Sequence, residues 1–227
     1  MIEKNTQEAF DMKTVIFDMD GVLVNSERMH FQALDRTLQA HGIALTWEYF
    51  AQFIGSTIPH MWEVIARDYH LNTELVRQMH AQYMMNQWYF IERDGHLPVD
   101  GAQELVRSLF AAGYRLAVAS SSSEQQIAEI VDALGIRGCF TALISGETVP
   151  HPKPEPDIFL SAADTLGVQP ADCVVIEDSA HGVAAAKAAG MFCIGLRNPD
   201  SGEQDLSAAD RTVSALRDIC VDSFPTV

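Results

Sequence analysis

Two carboxylates spaced two residues apart, Asp18 and Asp20, follow the short apolar run Thr14–Phe17, and an adjacent pair, Glu177 and Asp178, follows the run 174–176. In an extended segment residues i and i+2 project to the same side, so Asp18 and Asp20 would repel unless their roles differ. Gly21 then permits a turn. Bringing Glu177 and Asp178 in from a second strand would give a crowded acidic site that is stable around a hard cation. Magnesium suits it: the ion takes oxygen ligands at about 2.0–2.1 Å and keeps waters and a substrate phosphate oxygen in its shell. Helix N-capping is the competing reading, and it suits a lone carboxylate such as Asp178 better than two pairs at two strand ends.

Two further features add phosphate chemistry. The run 116–119 is followed by Ser120, Ser121, Ser122 and Ser123, whose hydroxyls and backbone N–H groups could cradle phosphate while capping a helix that begins near Glu124. Lys153 sits in the segment 149–157, where Pro150, Pro152, Pro154 and Pro156 alternate and restrict φ. A stiff loop would deliver the lysine to phosphate without an ordering cost; a polyproline linker with a solvated lysine is the alternative.

These residues need elements that bring them to one rim. Short apolar runs at Thr14–Phe17, 116–119, 142–144, 174–176 and Phe192–Leu196 read as buried strands. Helical periodicity with a following glycine stop marks 102–112, 124–134, Asp157–Leu166 and 183–189. Alternating strands and helices indicate a doubly wound, Rossmann-like parallel α/β sheet, in which ligands bind outside the carboxyl ends of the strands. The alternation stops after Ser26, and helical candidates at 30–39, 59–68 and 73–91 replace it. This stretch holds Trp47, Trp62 and Trp88 and suits an inserted helical unit with its own core; an aromatic substrate cradle is the sharper reading of the same residues. The expected boundaries are residues 1–26 and 95–227 for the core and 27–94 for the insertion.

Composition narrows the partners. Hydrophobic residues make up 48% of 227, enough for a packed core. A formal charge of −16 disfavours nucleic acid and anionic membranes, both bound through excess Lys and Arg. No apolar stretch approaches the ~20 residues of a membrane span, and the N-terminal residues lack a signal-peptide h-region, so a cytoplasmic location is expected. Cys139, Cys173, Cys193 and Cys220 show no zinc-type spacing; Cys173 and Cys193 lie in strand-like runs and read as buried thiols.

Over 13–196 the chain resembles the haloacid dehalogenase superfamily, in its phosphatase branch with an α-helical cap, similar to β-phosphoglucomutase and sugar-phosphate phosphatases. Four motifs carry the resemblance in order: Asp18-Met19-Asp20-Gly21-Val22-Leu23-Val24, Ser120 after a strand, Lys153-Pro154, and Ile176-Glu177-Asp178-Ser179 with Gly182 and Ala189-Gly190. The resemblance implies that Asp18 attacks phosphorus to form an aspartyl-phosphate and that Asp20 acts as acid and then base. It places Asp18, the Asp20 main-chain carbonyl and Asp178 on Mg²⁺, with Glu177 supporting or joining the shell. Ser120, the backbone at Ser121 and Lys153 would hold the phosphate oxygens.

Departures from the pattern bear on the outcome. Asn25 replaces an aspartate common in relatives, at a position that reads as structural. Ile58 stands where β-phosphoglucomutases carry an arginine for a distal phosphate, and Ser123 where they carry a lysine; residues 27–94 contain no lysine. Arginines such as Arg28, Arg36 or Arg67 are the cap cations left to meet a second phosphate. His30 matches a mutase-like histidine near the nucleophile and is a candidate substrate contact, or an ordinary polar residue of the first cap helix. The expectation is a monomeric Mg²⁺-dependent phosphatase of a small phosphorylated metabolite such as a sugar phosphate. A phosphosugar mutase is the alternative; Asp20 and the Glu177-Asp178 pair argue against metal-free dehalogenation, and retention of all four motifs argues against a silent binding module.

Overall fold

The structure, a computed structural model, describes residues 14–220; the portions of the expected core at 1–13 and 221–227 lie outside the described residues. Six strands, β1 (Thr14–Phe17), β2 (Arg115–Ser120), β3 (Ala142–Ser145), β4 (Cys173–Glu177), β5 (Phe192–Leu196) and β6 (Arg211–Val213), form one parallel sheet in the order β3-β2-β1-β4-β5-β6. Helices α1 (Glu27–Gln39), α2 (Trp47–Ala51), α3 (Ile58–Asp68) and α4 (Thr73–Asp94) fall between β1 and β2. They are followed in the chain by α5 (Ala102–Ala111), α6 (Glu124–Ala133), α7 (Asp157–Leu166) and α8 (Ala180–Ala188).

Strand parity explains the double winding. Val15, Phe17, Leu116, Val118, Val174 and Ile176 face one apolar cluster, joined by Leu105 and Leu109 of α5 and Ile127 and Val131 of α6. Ile16, Ala117, Ala119, Cys173 and Val175 face the other, with Phe159 and Ala162 of α7 and Val183 and Ala186 of α8. Both faces are covered, as near-continuous apolar strands require. Phe17 pairs with Val118 on one side and Ile176 on the other, so the carboxyl ends of β1, β2 and β4 come level. β1 is also where the winding reverses, the usual ligand position in such sheets.

Helices α1 to α4 share a third cluster that includes Leu34, Leu38, Phe50, Phe53, Trp62, Ile65, Met79 and Tyr83. Thr46, Thr57 and Asn72 start α2, α3 and α4 by accepting from the N–H groups of Tyr49, His60 and Leu75. Trp62 is buried in this cluster, whereas Trp88 lies on the outer face, 57% exposed, so not all the tryptophans are core. The chain leaves and rejoins the sheet at adjacent points: Asn25 N donates to Leu97 O at 2.7 Å and Val99 N to Leu23 O at 3.1 Å.

The structure adds α2 and β6 to the expected elements. A five-residue helix and a three-residue edge strand are too short to show periodicity. α8 begins three residues before the periodic stretch 183–189, because Ser179 accepts from the N–H of Gly182 and nucleates the turn. No helix among the described residues is long and apolar enough to cross a membrane.

Candidate active site

Asp18 stands one residue beyond β1 and is almost fully buried. Lys153 reaches it from the proline-rich loop before α7, donating from Nζ to Asp18 Oδ1 at 2.8 Å, to Glu177 Oε1 at 2.7 Å and to Ala119 O at 3.4 Å. The lysine is therefore not solvated: its side chain is 1% exposed. Burial alone would push its pKa down, but Asp18 and Glu177 outweigh burial and hold the ammonium charged.

Glu177 ends β4. Its Oε2 accepts from the backbone N–H of Asp178 and of Ser179, both at 2.7 Å, and from Ser179 Oγ at 3.0 Å. With Oε1 on Lys153, both oxygens of this carboxylate are engaged. Asp178 Oδ2 accepts from the hydroxyl of the fully buried Ser201. Two glycines make this packing possible. Gly21, at φ +77°, lies where a Cβ would collide with the Asp178 carboxylate, and a Cβ on Gly182 would collide with that of Glu177.

The three buried carboxylates, Asp18, Glu177 and Asp178, offer oxygens within 4.8 Å of one another. One ammonium does not neutralise them. Burial, partly offset by Lys153 and reinforced by Glu177 and Asp20, pushes Asp18 up to about 8. Asp178 is raised well above the carboxylate range, by burial first and then by Glu177 and Asp18. A buried all-oxygen set with excess negative charge fits a hard divalent cation.

Asp20 occupies the mouth of the site. Its Oδ1 accepts from Ser26 Oγ, and its Oδ2 accepts from Ser122 Oγ at 2.9 Å and Ser120 Oγ at 3.3 Å. The serine run thus divides its work. Ser120 and Ser122 face Asp20, Ser121 Oγ turns to Gly55 O at 2.9 Å, and Ser123 forms a capping box with Gln126 at the start of α6. His30 Nε2 lies 4.0 Å from Asp20 Oδ1, and burial lowers the His30 pKa against the opposing pull of Asp20.

A pocket opens onto these groups. Asp18, Asp20, Ser121 and Ser122 form its floor, while Glu27, His30, Phe50, Phe53, Ile58, Met61 and Tyr83 of the helical insertion line the rest. No Lys or Arg belongs to the lining, though Lys153 lies just behind Asp18.

A family model for haloacid dehalogenase-like hydrolases matches residues 12–190. The chain belongs to that family. It is a hydrolase. The chain is 31% identical over 216 residues to the β-phosphoglucomutase of Bacillus subtilis (strain 168), covering 93% of each. It is also 31% identical over 211 residues to a bifunctional riboflavin kinase/FMN phosphatase of Arabidopsis thaliana, of which it spans 55%. The crystal structure of CbbY from Rhodobacter sphaeroides in complex with xylulose-(1,5)bisphosphate superposes with a TM-score of 0.78 at 27% identity, covering 90% of this chain and 94% of that one.

Within this haloacid dehalogenase-like framework the structure brings Asp18, Asp20, Ser120, Lys153, Glu177 and Asp178 together, with Ser121 and His30 at the pocket wall. Sequence reasoning missed Glu27, Tyr83, Gln87 and Ser201, and it gave Ser122 a place in the serine run without its partner Asp20. Glu27 is buried with its carboxyl raised well above the usual range, by burial and then by Asp20, Asp18 and Glu177. At the first position of α1 an acidic residue reads as a partner of the helix dipole, which concealed it.

Proposed function

We propose that this hydrolase is a divalent-metal-dependent phosphoric monoester hydrolase that releases phosphate from a small monophosphorylated metabolite of the sugar-phosphate kind. The observation that carries this reading is a buried Asp18 beside Lys153, facing a pocket whose lining holds carboxylates, hydroxyls and apolar groups but no cation. Phosphate would sit over Asp18, flanked by Lys153, Ser120 and the backbone at Ser121. A second phosphate on the leaving group would meet no Lys or Arg in the lining, which favours hydrolysis of a monophosphate over a mutase cycle through a bisphosphate.

The reaction divides into two displacements. Lys153 occupies Asp18 Oδ1, leaving Oδ2 to attack phosphorus; the P–O bond to the leaving group breaks as Asp20 donates a proton to the departing oxygen. Asp20 then takes a proton from a water that attacks the aspartyl-phosphate, freeing phosphate and Asp18. Asp18, Asp178 and the Asp20 carbonyl would hold Mg²⁺, whose chemistry is to neutralise charge on the transferring phosphoryl group. Glu177, with its oxygens taken by Lys153 and the backbone of 178–179, positions the lysine and the Asp178 loop. Residues 27–94 act as the cap that reads the leaving group and excludes water.

Phosphate release from a panel of sugar monophosphates, with Mg²⁺ and after chelation, tests the reading. Hydrolysis that chelation abolishes is expected. Conversion of β-glucose 1-phosphate into glucose 6-phosphate without free phosphate would replace it with the mutase.

The charge excess has a second measurable consequence. Asp18 is near 4 unfolded and about 8 folded, so between these values the folded metal-free chain binds more protons than the unfolded one. Its stability is therefore expected to fall as pH rises from 5 to 8, and Mg²⁺ should recover most of the loss at pH 8. Melting temperatures at both pH values, with and without Mg²⁺, check this; a metal-free chain equally stable at both would contradict it.

A further inference from the structure

The buried polar groups of α4 are not used by the chemistry above. Gln87 and Tyr83, one helical turn apart and both buried, converge on one nitrogen of His30. Tyr83 Oη lies 2.8 Å from His30 Nδ1, Gln87 Nε2 lies 2.6 Å from the same atom and 3.0 Å from Tyr83 Oη. Gln87 Oε1 has no partner among the described residues. Reversing the amide would instead bury two N–H donors without acceptors, which is the costlier arrangement. The amide therefore donates towards Tyr83 Oη, and the phenol donates to Nδ1.

A neutral imidazole that accepts at Nδ1 carries its proton on Nε2. Nε2 is the nitrogen turned towards Asp20, 4.0 Å from Oδ1. Such contacts commonly shorten when a substrate complex forms. We propose that Tyr83 and Gln87 are positioning residues that fix His30 in its Nε2–H tautomer, so that it presents a donor, not a lone pair, to Asp20. The inference rests on the acid–base role given to Asp20 above. With the opposite tautomer two lone pairs would face each other, and the carboxylate would turn from the leaving oxygen. This makes α4 of the insertion part of the proton-transfer geometry without any contact to the reacting atoms.

The test separates this inference from the proposed activity, because its first readout needs no turnover. Nitrogen NMR of ¹⁵N-histidine-labelled full-length protein should assign His30 as Nε2–H in the wild type. Tyr83→Phe and Gln87→Leu should give a tautomer mixture, and Gln87→Glu should move the proton to Nδ1. With p-nitrophenyl phosphate and Mg²⁺, Tyr83→Phe should lower kcat about tenfold, a fraction of the ~10²–10⁴ that a positioned acid–base group contributes, with KM little changed. Adding it to His30→Gln should cost nothing further. A wild-type His30 protonated on Nδ1 would overturn the tautomer assignment. A Tyr83→Phe loss that persists undiminished in the His30→Gln background would overturn the claim that these residues act through His30. Absence of phosphatase activity would remove the proposed function while leaving the NMR result decisive for the tautomer.

Discussion

Replacing Asp18 by Asn is expected to lower turnover on the order of 10⁶-fold, the scale on which removal of a covalent nucleophile acts, without unfolding the protein. The amide keeps an oxygen that can accept from Lys153, which donates to Asp18 Oδ1 at 2.8 Å. It also removes one negative charge from a buried set of three carboxylates served by one ammonium. Because burial and the neighbouring carboxylates already disfavour ionised Asp18, the metal-free variant should melt at or above the wild-type temperature. Phosphate-release assays combined with thermal melts check both halves. Retained hydrolysis would remove Asp18 from the nucleophile's role, and a large loss of stability would show that the carboxylate also holds the fold together. Trapping of ³²P on the wild type but not on the variant would tie the loss to the covalent step.

Lys153→Met should act in the opposite sense on stability. It removes the cation from between Asp18 and Glu177 and leaves carboxylates uncompensated in a dry site, which typically costs about 3–5 kcal/mol. Urea midpoints of the metal-free protein would measure the loss. Removing the Glu177 charge as well, in Lys153→Met/Glu177→Gln, should recover part of it, because the two single changes share one interaction. Recovery of stability without recovery of turnover is the expected pattern, since Lys153 is also placed to stabilise charge on the transferring phosphate. Equal stability of wild type and Lys153→Met would mean that water, not the ammonium, solvates the pair.

The strands were readable because both their faces are covered. Unbroken apolar runs such as Thr14–Phe17 stand out, and the residue after each run falls at the ligand-binding rim. That is why order and spacing place Asp18, Ser120, Glu177 and Asp178 at one rim, where the structure also has them. Lys153 was found as a residue, but its burial was not: a lysine among prolines reads equally as a solvated linker until the loop is seen folded over Asp18. The pocket wall was harder. Helical periodicity separates apolar from polar faces, and it sends a Gln or Glu to solvent by default. Gln87 is 3% exposed and Glu27 6%: Gln87 meets His30 and Tyr83 and Glu27 lines the pocket above Asp18, neighbours that no local pattern encodes. Tyr83 lies in the helical candidate 73–91, where an aromatic reads as core, and its hydroxyl partners come from 53 and four residues away.

The paired crossing at Asn25–Leu97 and Leu23–Val99 has a consequence for how such enzymes diversify. Both ends of the insertion meet at neighbouring points beyond the carboxyl end of β1, outside the strand pairing that aligns Phe17 with Ile176. On the proposed reading of residues 27–94 as the cap, replacing the segment between these two anchors would change the preference among metabolites and leave the reaction intact.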